Sequence, residues 1–334
     1  MSNPDPRPLP QRVFQRLDDG AFLSGETLAA ELSVTRAAIW KAVEQLRDIG
    51  VHLDAQTHKG YRLAPGVSAL VPEKISSLLP AETRARLEAL VVEWQIESTN
   101  TRLLEALPPR AEFAAVVLAE HQTGGRGRRG RGWVAPPGGA ICLSLGWQFP
   151  DMPADLSALS LAVGVAVAEA LEDLGVGGVR LKWPNDLVTA RGKLGGILIE
   201  MRAEAGGPVH VVVGIGLNVL LDEPARAAVA ATGNTADDLR AQRGEVPDRN
   251  VIVAAILRRL VALLADFPRQ GLLPQLAGWS RRDALEGHEI RVETAGELTR
   301  GVARGIDAHG ALLVETPAGV QRFISGEVSV RADS

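Results

Sequence analysis

The sequence predicts an α/β (α+β) protein built from three consecutive units, and three observations lead to this prediction. Residues 12–50 place apolar side chains at helical spacing in short stretches. Residues 70–280 alternate helical stretches with apolar, strand-like runs, which is the pattern of a layered α/β domain. The segment after residue 286 has short alternating strands separated by glycine turns. A chain of 334 residues is also too long for one ordinary core.

The first unit, residues 1–66, is predicted to be a winged helix-turn-helix domain. The turn "SVT" joins two short helices, the second of which begins near Thr35, and a hairpin follows around Lys59 and Gly60. We expect the proline-rich start, "MSNPDPRPLPQR", to be a disordered tail. Any three-helix cap could produce this pattern, but residues 36–62 carry five basic against three acidic side chains. The half that would face a DNA groove is therefore the positive half.

The second unit, residues 67–283, is predicted to hold the main sheet, and the third, residues 284–334, a small β-barrel. The strand-like runs of the second unit are "AAVVLAEHQ", "AICLSLGWQF", "GVRLKW", "LGGILIEM" and "HVVVGIGLNV". Helical stretches cover 154–174 and 250–266. The segment "LAPGVSALVP", with two prolines and a glycine, is predicted to link the first two units.

The composition is that of an ordinary globular protein, with 46 % hydrophobic and 23 % charged residues and a net charge of −4. The single cysteine, Cys142, excludes an internal disulfide and a cysteine-built metal site, and its strand-like surroundings predict a core position. The richest apolar run, 156–174, is interrupted by Glu169, Glu172 and Asp173, so no membrane span is expected. These features favour a cytoplasmic protein without a membrane partner.

The most unusual stretch is "GGRGRRGRGW" at 124–133, which has four arginines, five glycines and no acidic residue. Its glycines match G-x-G-x-x-G, but Pro136 and Pro137 prevent the helix that a dinucleotide fold needs after this motif. "RGKLGG" lacks the Ser or Thr that a P-loop has after Gly-Lys. What remains is a mobile cationic loop that closes over phosphate or carboxylate. The alternative is a solvated basic loop or a nucleic-acid patch.

Five motifs follow one another in a fixed order along the chain. They are "ESTN" at 97–100, the arginine loop, "KWPNDL" at 182–187, "GKLGGILIE" at 192–200 and "GIGLNV" at 214–219. With the helix-turn-helix before them and the small barrel after, they resemble the family of bifunctional biotin–protein ligases and biotin operon repressors. The resemblance extends from about residue 12 to residue 331. It implies a mixed-sheet central domain related to class II aminoacyl-tRNA synthetases and an SH3-like C-terminal barrel.

The resemblance implies two reactions. The central domain would join biotin to ATP, giving biotinyl-5′-adenylate and pyrophosphate, and then pass the biotinyl group to one lysine of a biotin carboxyl carrier domain, a subunit of acetyl-CoA carboxylase. The small molecules implied are biotin, ATP and Mg²⁺ that accompanies ATP, with no metal fixed by the protein alone. A homodimer loaded with biotinyl-AMP would bind operator DNA. We expect it to pair through the strand edges of "GGILIEM" or "HVVVGIGLNV", because open edges offer unpaired hydrogen-bonding groups.

The resemblance also assigns roles to individual residues. The positions matched to biotin binding are Ser98, Thr99, Asn100, Gln122, Arg126, Gly127, Arg128, Lys193 and Gly196. The positions matched to ATP or adenylate binding are Arg126, Arg128, Arg129, Trp133 and Asn218. The catalytic set is Lys193, Arg128, Asp186 and Lys182, and the DNA-binding set is Thr35, Arg36, Lys41 and Lys59.

The chemistry of the implied reaction agrees with these residue types. Carboxylate attack on an α-phosphate brings two anions together, so the site needs fixed cations, and the mixed anhydride must be sheltered from water. Asp186 either accepts a proton from the incoming lysine or only forms a turn after Pro-Asn. Gly132 stands where the family often has a basic residue, and "ESTN" replaces "DSTN". A DNA-binding biotin sensor without ligation and a lipoate ligase of the same fold remain alternatives.

Overall fold

The computed structural model describes residues 5–203, 207–231, 235–294 and 297–330, and its first unit is a helical domain with a hairpin. The helices are α1 (Leu9–Arg16), α2 (Gly25–Leu32) and α3 (Arg36–Asp48), and the strands are β1 (Leu53–Gln56) and β2 (Gly60–Leu63). Ser24 and Thr35 cap α2 and α3, because their side chains accept hydrogen bonds from backbone N–H groups of the first turn. The predicted winged helix-turn-helix is confirmed.

The chain becomes helical earlier than the sequence predicts. Residues 1–4 of the expected disordered tail lie outside the described residues, but α1 already begins at Leu9. Pro10 fits its first turn, since the proline φ angle is helical and an N–H there has no partner within the helix. Val13 and Phe14 of α1 are fully buried. The prediction of a loose stretch through Arg12 is therefore wrong.

The second unit contains a seven-stranded mixed sheet. Its strands are β3 (Leu87–Ile96), β4 (Ala114–Gln122), β5 (Ala140–Phe149), β6 (Arg180–Lys182), β7 (Asp186–Thr189), β8 (Gly192–Ala203) and β9 (Val209–Asn218). They pair in the order β3-β4-β5-β9-β8-β7-β6. Strands β3 and β4 run parallel, whereas the other neighbouring pairs are antiparallel. This confirms the mixed sheet that the strand-like runs predict.

The strand order corrects one expectation about free edges. Strand β9, the run "HVVVGIGLNV", pairs with β5 on one side and β8 on the other, so it offers no edge to a second copy. Its apolar side chains fit an interior strand, whose two faces are both covered. Strand β8 pairs with β7 only between Gly192 and Gly196. Within the described chain, the ladder beyond Ile197 is therefore formed on the β9 side alone.

Eight helices of the described chain accompany the central sheet. They are α4 (Pro72–Leu78), α5 (Ala81–Ala85), α6 (Thr99–Glu105), α7 (Leu159–Asp173), α8 (Glu223–Ala230), α9 (Leu239–Arg243), α10 (Arg249–Gln270) and α11 (Leu276–Ser280). Val116 and Leu118 of β4 belong to the large core that α7 and α10 complete. Val117, between them, packs with Leu103 of α6. The alternation of β4 side chains therefore places α6 against the opposite face of the sheet.

The predicted linker is buried and fixed by an ion pair. Arg249, the first residue of α10, is fully buried and lies 2.6 Å from Glu120 of β4. The guanidinium also donates to the Ser68 carbonyl, and Glu120 accepts a hydrogen bond from the Leu70 N–H at 2.7 Å. Removing one partner of such a pair typically costs about 3–5 kcal/mol, because the other charge stays buried. The two units are thus joined by a fixed connection.

The first unit also packs on segments that lead away from the central sheet. The rings of Phe14 and Trp94 lie 5.5 Å apart between their centroids. Gly138, in the turn before β5, is seated against Phe14 and Val67, and a side chain there would overlap Val67. Leu220, just after β9, belongs to the same apolar cluster. The helical unit therefore contacts the turns directly connected to β5 and β9.

The third unit is a five-stranded antiparallel sheet. Its strands are β10 (Glu289–Thr294), β11 (Glu297–Ile306), β12 (Leu312–Thr316), β13 (Gly319–Phe323) and β14 (Glu327–Val330), paired in the order β13-β12-β11-β10-β14. The short strands and glycine turns are as the sequence predicts. Closure of this sheet into an SH3-like barrel stays a prediction. The Trp183 indole N–H donates to the Gly310 carbonyl at 3.0 Å and so ties the third unit to the second.

Candidate functional site

A cavity of about 1450 Å³ lies between the arginine loop, the β7–β8 hairpin and β14. Its lining includes the predicted residues Ser98, Thr99, Asn100, Gln122, Arg126, Gly127, Arg128, Trp133, Lys182, Asp186, Lys193, Gly196 and Asn218. Arg129 is not part of the lining, because its guanidinium points to Glu327 of β14 at 3.5 Å. The structure thus brings every predicted catalytic or ligand-binding residue together except Arg129. A concave site with convergent polar groups is the usual form of a small-molecule site.

The N-terminus of α6 forms a polar floor. Ser98 is the N-cap of this helix, and its hydroxyl accepts a hydrogen bond from the Thr101 N–H. Both the N–H and the hydroxyl of Thr99 donate to Gln122 Oε1, at 2.8 and 3.0 Å. These bonds orient the Gln122 amide toward the cavity side of β4. Ser98 therefore both caps α6 and lines the cavity.

Two residues beneath this floor were not singled out by the sequence. The hydroxyl of Ser144, on β5, lies 2.7 Å from Thr99 Oγ1 and 2.5 Å from Asn100 Oδ1. The Asn100 amide donates to Glu200 Oε2 of β8 at 2.8 Å. Asn100 is therefore used to join α6, β5 and β8, and it supports the floor from below. Contacts across more than 40 residues leave no short motif by which they could be found.

The arginine loop is folded over the cavity by its own backbone. The Gly127 N–H donates to the Arg131 carbonyl at 2.7 Å, and the Trp133 N–H donates to the Gly125 carbonyl at 2.9 Å. Arg126 donates to Thr101 Oγ1 at 2.7 Å. Gly125 has little room for a side chain, since a Cβ there would lie 3.0 Å from the Gln122 amide nitrogen and the Trp133 carbonyl, and Gly130 adopts a positive φ of 72°.

Arg128 is the most buried of the loop arginines that line the cavity. Its guanidinium lies 3.4 Å from Asn185 Oδ1. Burial lowers the pKa of Arg128, and the neighbouring charge of Arg129 lowers it further. Arg129 and Arg131 instead pair with Glu327 on β14. The loop thus presents the half-buried Arg128, whose charge is only partly balanced by its neighbours, to a ligand. Two other loop arginines, Arg129 and Arg131, bind the third unit.

Trp133 forms an aromatic wall after the loop. It packs with Ala135, Ala140 and Cys142. Gly216 of β9 lies directly under the indole, and a Cβ there would overlap the ring. The buried Trp133 N–H has no acceptor within the described residues, so a ligand atom can take its hydrogen bond. Gly216 of "GIGLNV" is therefore needed for the close approach of this ring.

Lys193 faces the arginine loop from the β7–β8 hairpin. Its ammonium nitrogen lies 2.6 Å from Asp186 Oδ1 and 5.9 Å from the centroid of the Trp133 ring. Gly196 leaves room for this pair, since a Cβ there would lie 3.4 Å from the Lys193 ammonium. The predicted catalytic pair is thus an ion pair in direct contact, at the rim of the cavity.

The main chain of Lys193 is held by a segment that the sequence did not single out. The Lys193 N–H donates to the Thr235 carbonyl at 2.7 Å, and its carbonyl accepts from the Asp237 N–H at 2.9 Å. The Asn218 amide also donates to the Lys193 carbonyl, at 3.2 Å. Asn218 therefore lines the cavity, but its amide group is hydrogen-bonded to the backbone of Lys193. We call residues 235–237, which bind the Lys193 main chain, the brace.

Asp237 fixes the brace to the hairpin. Its carboxylate is buried and accepts hydrogen bonds from Thr189 of β7 and Gln242 of α9. Burial raises the pKa of Asp237, but these hydrogen bonds outweigh it and leave the pKa below its ordinary value. Asp237 is thus a charged anchor that holds the turn carrying Lys193.

Lys182 contributes a second ammonium group deeper in the wall. It is half-buried, and burial lowers its pKa, although the charge of Asp186 works in the opposite direction. A buried ammonium group without full compensation favours an incoming anion. Arg128, Lys182 and Lys193 thus line the same cavity as the Asp186 carboxylate.

The remaining titratable groups near the sheet have structural surroundings. Burial raises the pKa of Cys142 to about 12, which fits the predicted core cysteine. Burial lowers the pKa of His121 and of His210, which disfavours the charged form of both side chains. The part of the chain that the structure describes contains no group of three His, Cys, Asp or Glu side chains able to hold a metal ion.

The predicted DNA-binding residues lie on the outer side of the winged helix unit. Thr35 caps α3 by accepting from the Ala38 N–H at 3.2 Å. Arg36 lies 3.5 Å from Glu26 in an exposed ion pair, and Lys41 is exposed one turn further on. Lys59, at the tip of the wing, lies 5.8 Å from the centroid of the Phe22 ring.

In the described ranges, no helix is both long and apolar enough to span a membrane.

Family models match three parts of the chain. A model of an HTH domain matches residues 11–62, the model of the biotin/lipoate A/B protein ligase family matches residues 92–218, and the biotin protein ligase C terminal domain model matches residues 287–331. The fold and the site together therefore define a protein ligase of the biotin and lipoate class that carries a helix-turn-helix domain.

Individual relatives narrow this class. The chain is 35 % identical over 324 residues to the bifunctional ligase/repressor BirA of Escherichia coli (strain K12), covering 97 % of this chain and 98 % of that protein. It is 39 % identical over 241 residues to the biotin–[acetyl-CoA-carboxylase] ligase of Mycobacterium tuberculosis, covering 70 % and 86 %. A biotin protein ligase from Aquifex aeolicus, solved with biotin and ATP, matches with a TM-score of 0.61 and 27 % identity over 74 % of this chain and 100 % of that chain. The chain belongs to the family of bifunctional biotin protein ligases and repressors.

Proposed function

We propose that this chain activates biotin with ATP and transfers the biotinyl group to a lysine of a biotin carboxyl carrier domain. The observation that carries this proposal is the position of Lys193, which faces the arginine loop across the cavity, paired with Asp186 at 2.6 Å. Such an arrangement can hold a carboxylate and a phosphate against each other, as adenylate formation requires.

In the first half-reaction, a biotin carboxylate oxygen attacks the α-phosphorus of ATP, and pyrophosphate leaves with the bond electrons. Negative charge builds up on the phosphoryl oxygens, where Lys193 and Arg128 supply fixed positive charge. We propose that Lys182 helps to hold the phosphates and that the Ser98, Thr99 and Gln122 floor faces the ureido ring. Trp133 and the closed loop keep water from the mixed anhydride.

We propose that Mg²⁺ enters with ATP. Lysine and arginine side chains outnumber carboxylates in the cavity wall, and Asp186 already pairs with Lys193. This donor set suits an anion that carries its own metal ion better than a bare divalent cation. Bound to the triphosphate, Mg²⁺ would neutralise charge on the departing pyrophosphate, while Arg128, Lys182 and Lys193 hold the nucleotide.

In the second half-reaction, a neutral lysine amine of the carrier attacks the biotinyl carbonyl, and AMP leaves. The attacking nitrogen must lose a proton, and we propose that Asp186 orients the amine or accepts that proton. Its pairing with Lys193 would hold the carboxylate beside the anhydride. Replacing Asp186 with Asn and measuring the two half-reactions separately tests this role. Unchanged transfer to the carrier would remove it.

The substrate is tested by direct competition. Purified protein is incubated with Mg·ATP, a carrier domain and labelled biotin or labelled lipoate. The proposal predicts label on the carrier from biotin alone. Label from lipoate would make the chain a lipoate ligase, and operator binding without any label transfer would make it a sensor without ligation.

We propose further that the chain represses transcription as an adenylate-loaded dimer. Arg36, Lys41 and Lys59 would contact operator DNA, and Thr35 would set the start of the recognition helix. With β9 interior, the β8 edge beyond Ile197 is the remaining candidate for pairing between copies. Sedimentation with and without biotin and Mg·ATP tests this. An unchanged mass at micromolar protein would contradict it.

The domain limits of 1–66, 67–283 and 284–334, and a cytoplasmic location, also remain proposals. The buried Arg249 and Glu120 pair holds Ser68 and Leu70 just after the first limit, and the Trp183 contact with Gly310 spans the second limit. Limited proteolysis is expected to cut the chain near these domain limits only after the Arg249–Glu120 ion pair is removed. Cleavage of the unaltered protein at other positions would place the domain limits there instead.

A further inference from the structure

Trp40 stands out on the surface of the winged helix unit. Its side chain is 58 % exposed, although tryptophan is usually mostly buried. It lies on α3 beside Ile39, which is fully buried, so the two side chains mark the outer and inner faces of the helix. Among the aromatic side chains of the described residues, no other is exposed to this degree. The ring therefore needs a reason outside the packing of this domain.

The neighbours of Trp40 leave its ring uncovered. Ala37, one helical turn earlier, is exposed and contributes only a methyl group. Glu44, one turn later, is engaged with Arg47 at 2.7 Å. Lys41, next to Trp40, is exposed and has no ion pair within the described ranges. The face therefore consists of one large apolar ring with cations beside it.

We propose that Trp40 reads the operator sequence by packing against a thymine methyl group in the major groove. This inference rests on the proposed DNA binding of the domain. Trp40 is the fifth residue of α3, within the N-terminal part of a recognition helix that meets base edges. Thymine is the base that presents an apolar group in the major groove, so a large apolar side chain selects it.

The charges around the ring fit DNA better than a second copy of the chain. Arg36 and Lys41 lie on the same helix, and two such faces would place like charges together. Phosphates on either side of a major groove offer the opposite charge. The cations then supply affinity that does not depend on sequence, and Trp40 supplies the sequence preference.

The test is a selection from DNA duplexes randomised over about 30 base pairs, enough for two half-sites one or two helical turns apart. The full-length protein is used with biotin and Mg·ATP, as wild type, Trp40→Ala, Trp40→Phe and Gln45→Ala. Gln45 is an exposed, neutral residue of the same helix and serves as the matched control. Circular dichroism and carrier biotinylation verify that each variant folds and ligates as the wild type does.

The wild type and Gln45→Ala should enrich one motif with a required thymine in each half-site. Trp40→Ala should lose the thymine preference at that position and bind the wild-type motif about tenfold more weakly, with unchanged affinity for random DNA. Trp40→Phe should keep most of the preference, because it keeps an apolar ring. An identical motif and affinity for Trp40→Ala would overturn the inference. A wild type that enriches no motif would overturn the proposed DNA binding and this inference with it.

Discussion

The two walls of the cavity both carry positive charge, but the fold holds them in different ways. On the sheet wall, Lys193 has its backbone bonded on both sides to the brace, and its ammonium pairs with Asp186 at 2.6 Å. On the loop wall, Arg128 has one side-chain hydrogen bond, at 3.4 Å. The sheet wall therefore holds the Lys193 charge in a fixed position. On the loop wall, the Arg128 charge can move with little loss of free energy.

This difference suggests a division of labour. A cation held in place before the reaction stabilises the transition state without reorganisation, so the sheet wall should set the rate of adenylate formation. A loop whose contacts with the rest of the protein are made by exposed side chains, such as those of Arg129 and Arg131 with Glu327, can open for ATP and close over the product. The loop wall should therefore set how long the adenylate stays bound.

Replacing Lys193 with Met should have the largest effect. The variant keeps the length of the side chain and removes the charge, and adenylate formation should slow by a factor of about 10² to 10³. Pyrophosphate release in a single turnover measures this step. Arg129→Met is the control, since Arg129 points out of the cavity. Equal losses in both variants would contradict the division of labour.

Replacing Asp237 with Asn should slow adenylate formation by about tenfold, because Lys193 would be displaced from its productive position. The KM for biotin should stay unchanged, since the α6 floor is untouched. If Asp237 had a purely structural role, the substitution would instead lower the thermal stability, and kcat would not change separately from KM. Thr189→Val, which removes one of the two side-chain donors to Asp237, should show a smaller loss of the same kind.

The brace also shows what a sequence can and cannot predict. The winged helix, the site motifs and most strands follow local patterns, such as the periodicity of α3 and the spacing of "KWPND". Asp237 with Thr189, and Glu120 with Arg249, meet only because the sheet is folded, so no local pattern predicts them. Alternation and apolarity do not encode strand order, so the sequence wrongly predicts that β9 could be an edge strand of the sheet. The sequence does not predict β3, because many side chains of this strand face solvent.

Replacing Arg128 with Met should mainly shorten the life of the bound adenylate. One charged hydrogen bond to the ligand would be lost, which should raise the rate of adenylate release by about tenfold. Displacement of labelled biotinyl-AMP from the protein by an excess of unlabelled biotinyl-AMP measures this rate. The formation rate should fall less than in Lys193→Met. A variant that forms adenylate slowly but retains it normally would assign Arg128 to the fixed wall.

Replacing Lys182 with Met should give the smallest effect. The change in melting temperature should have opposite signs in the empty protein and in the protein with Mg·ATP bound. Because burial lowers the pKa of Lys182, the charged form destabilises the empty protein, and the penalty fades as the pH rises through the lowered pKa. At neutral pH, the empty variant should melt about 2 °C higher than the wild type. With Mg·ATP bound, the order should reverse, since the wild type gains a phosphate partner. Thermal melts with and without Mg·ATP at neutral and alkaline pH give the comparison.

One measurement tests the division between the two walls most directly. In Lys193→Met and Arg128→Met, the rate of adenylate formation and the half-life of the bound adenylate are determined from the same single-turnover reaction. The account predicts a crossed result, with Lys193→Met defective mainly in formation and Arg128→Met defective mainly in retention. Two variants with the same defect, or with the defects exchanged, would contradict it.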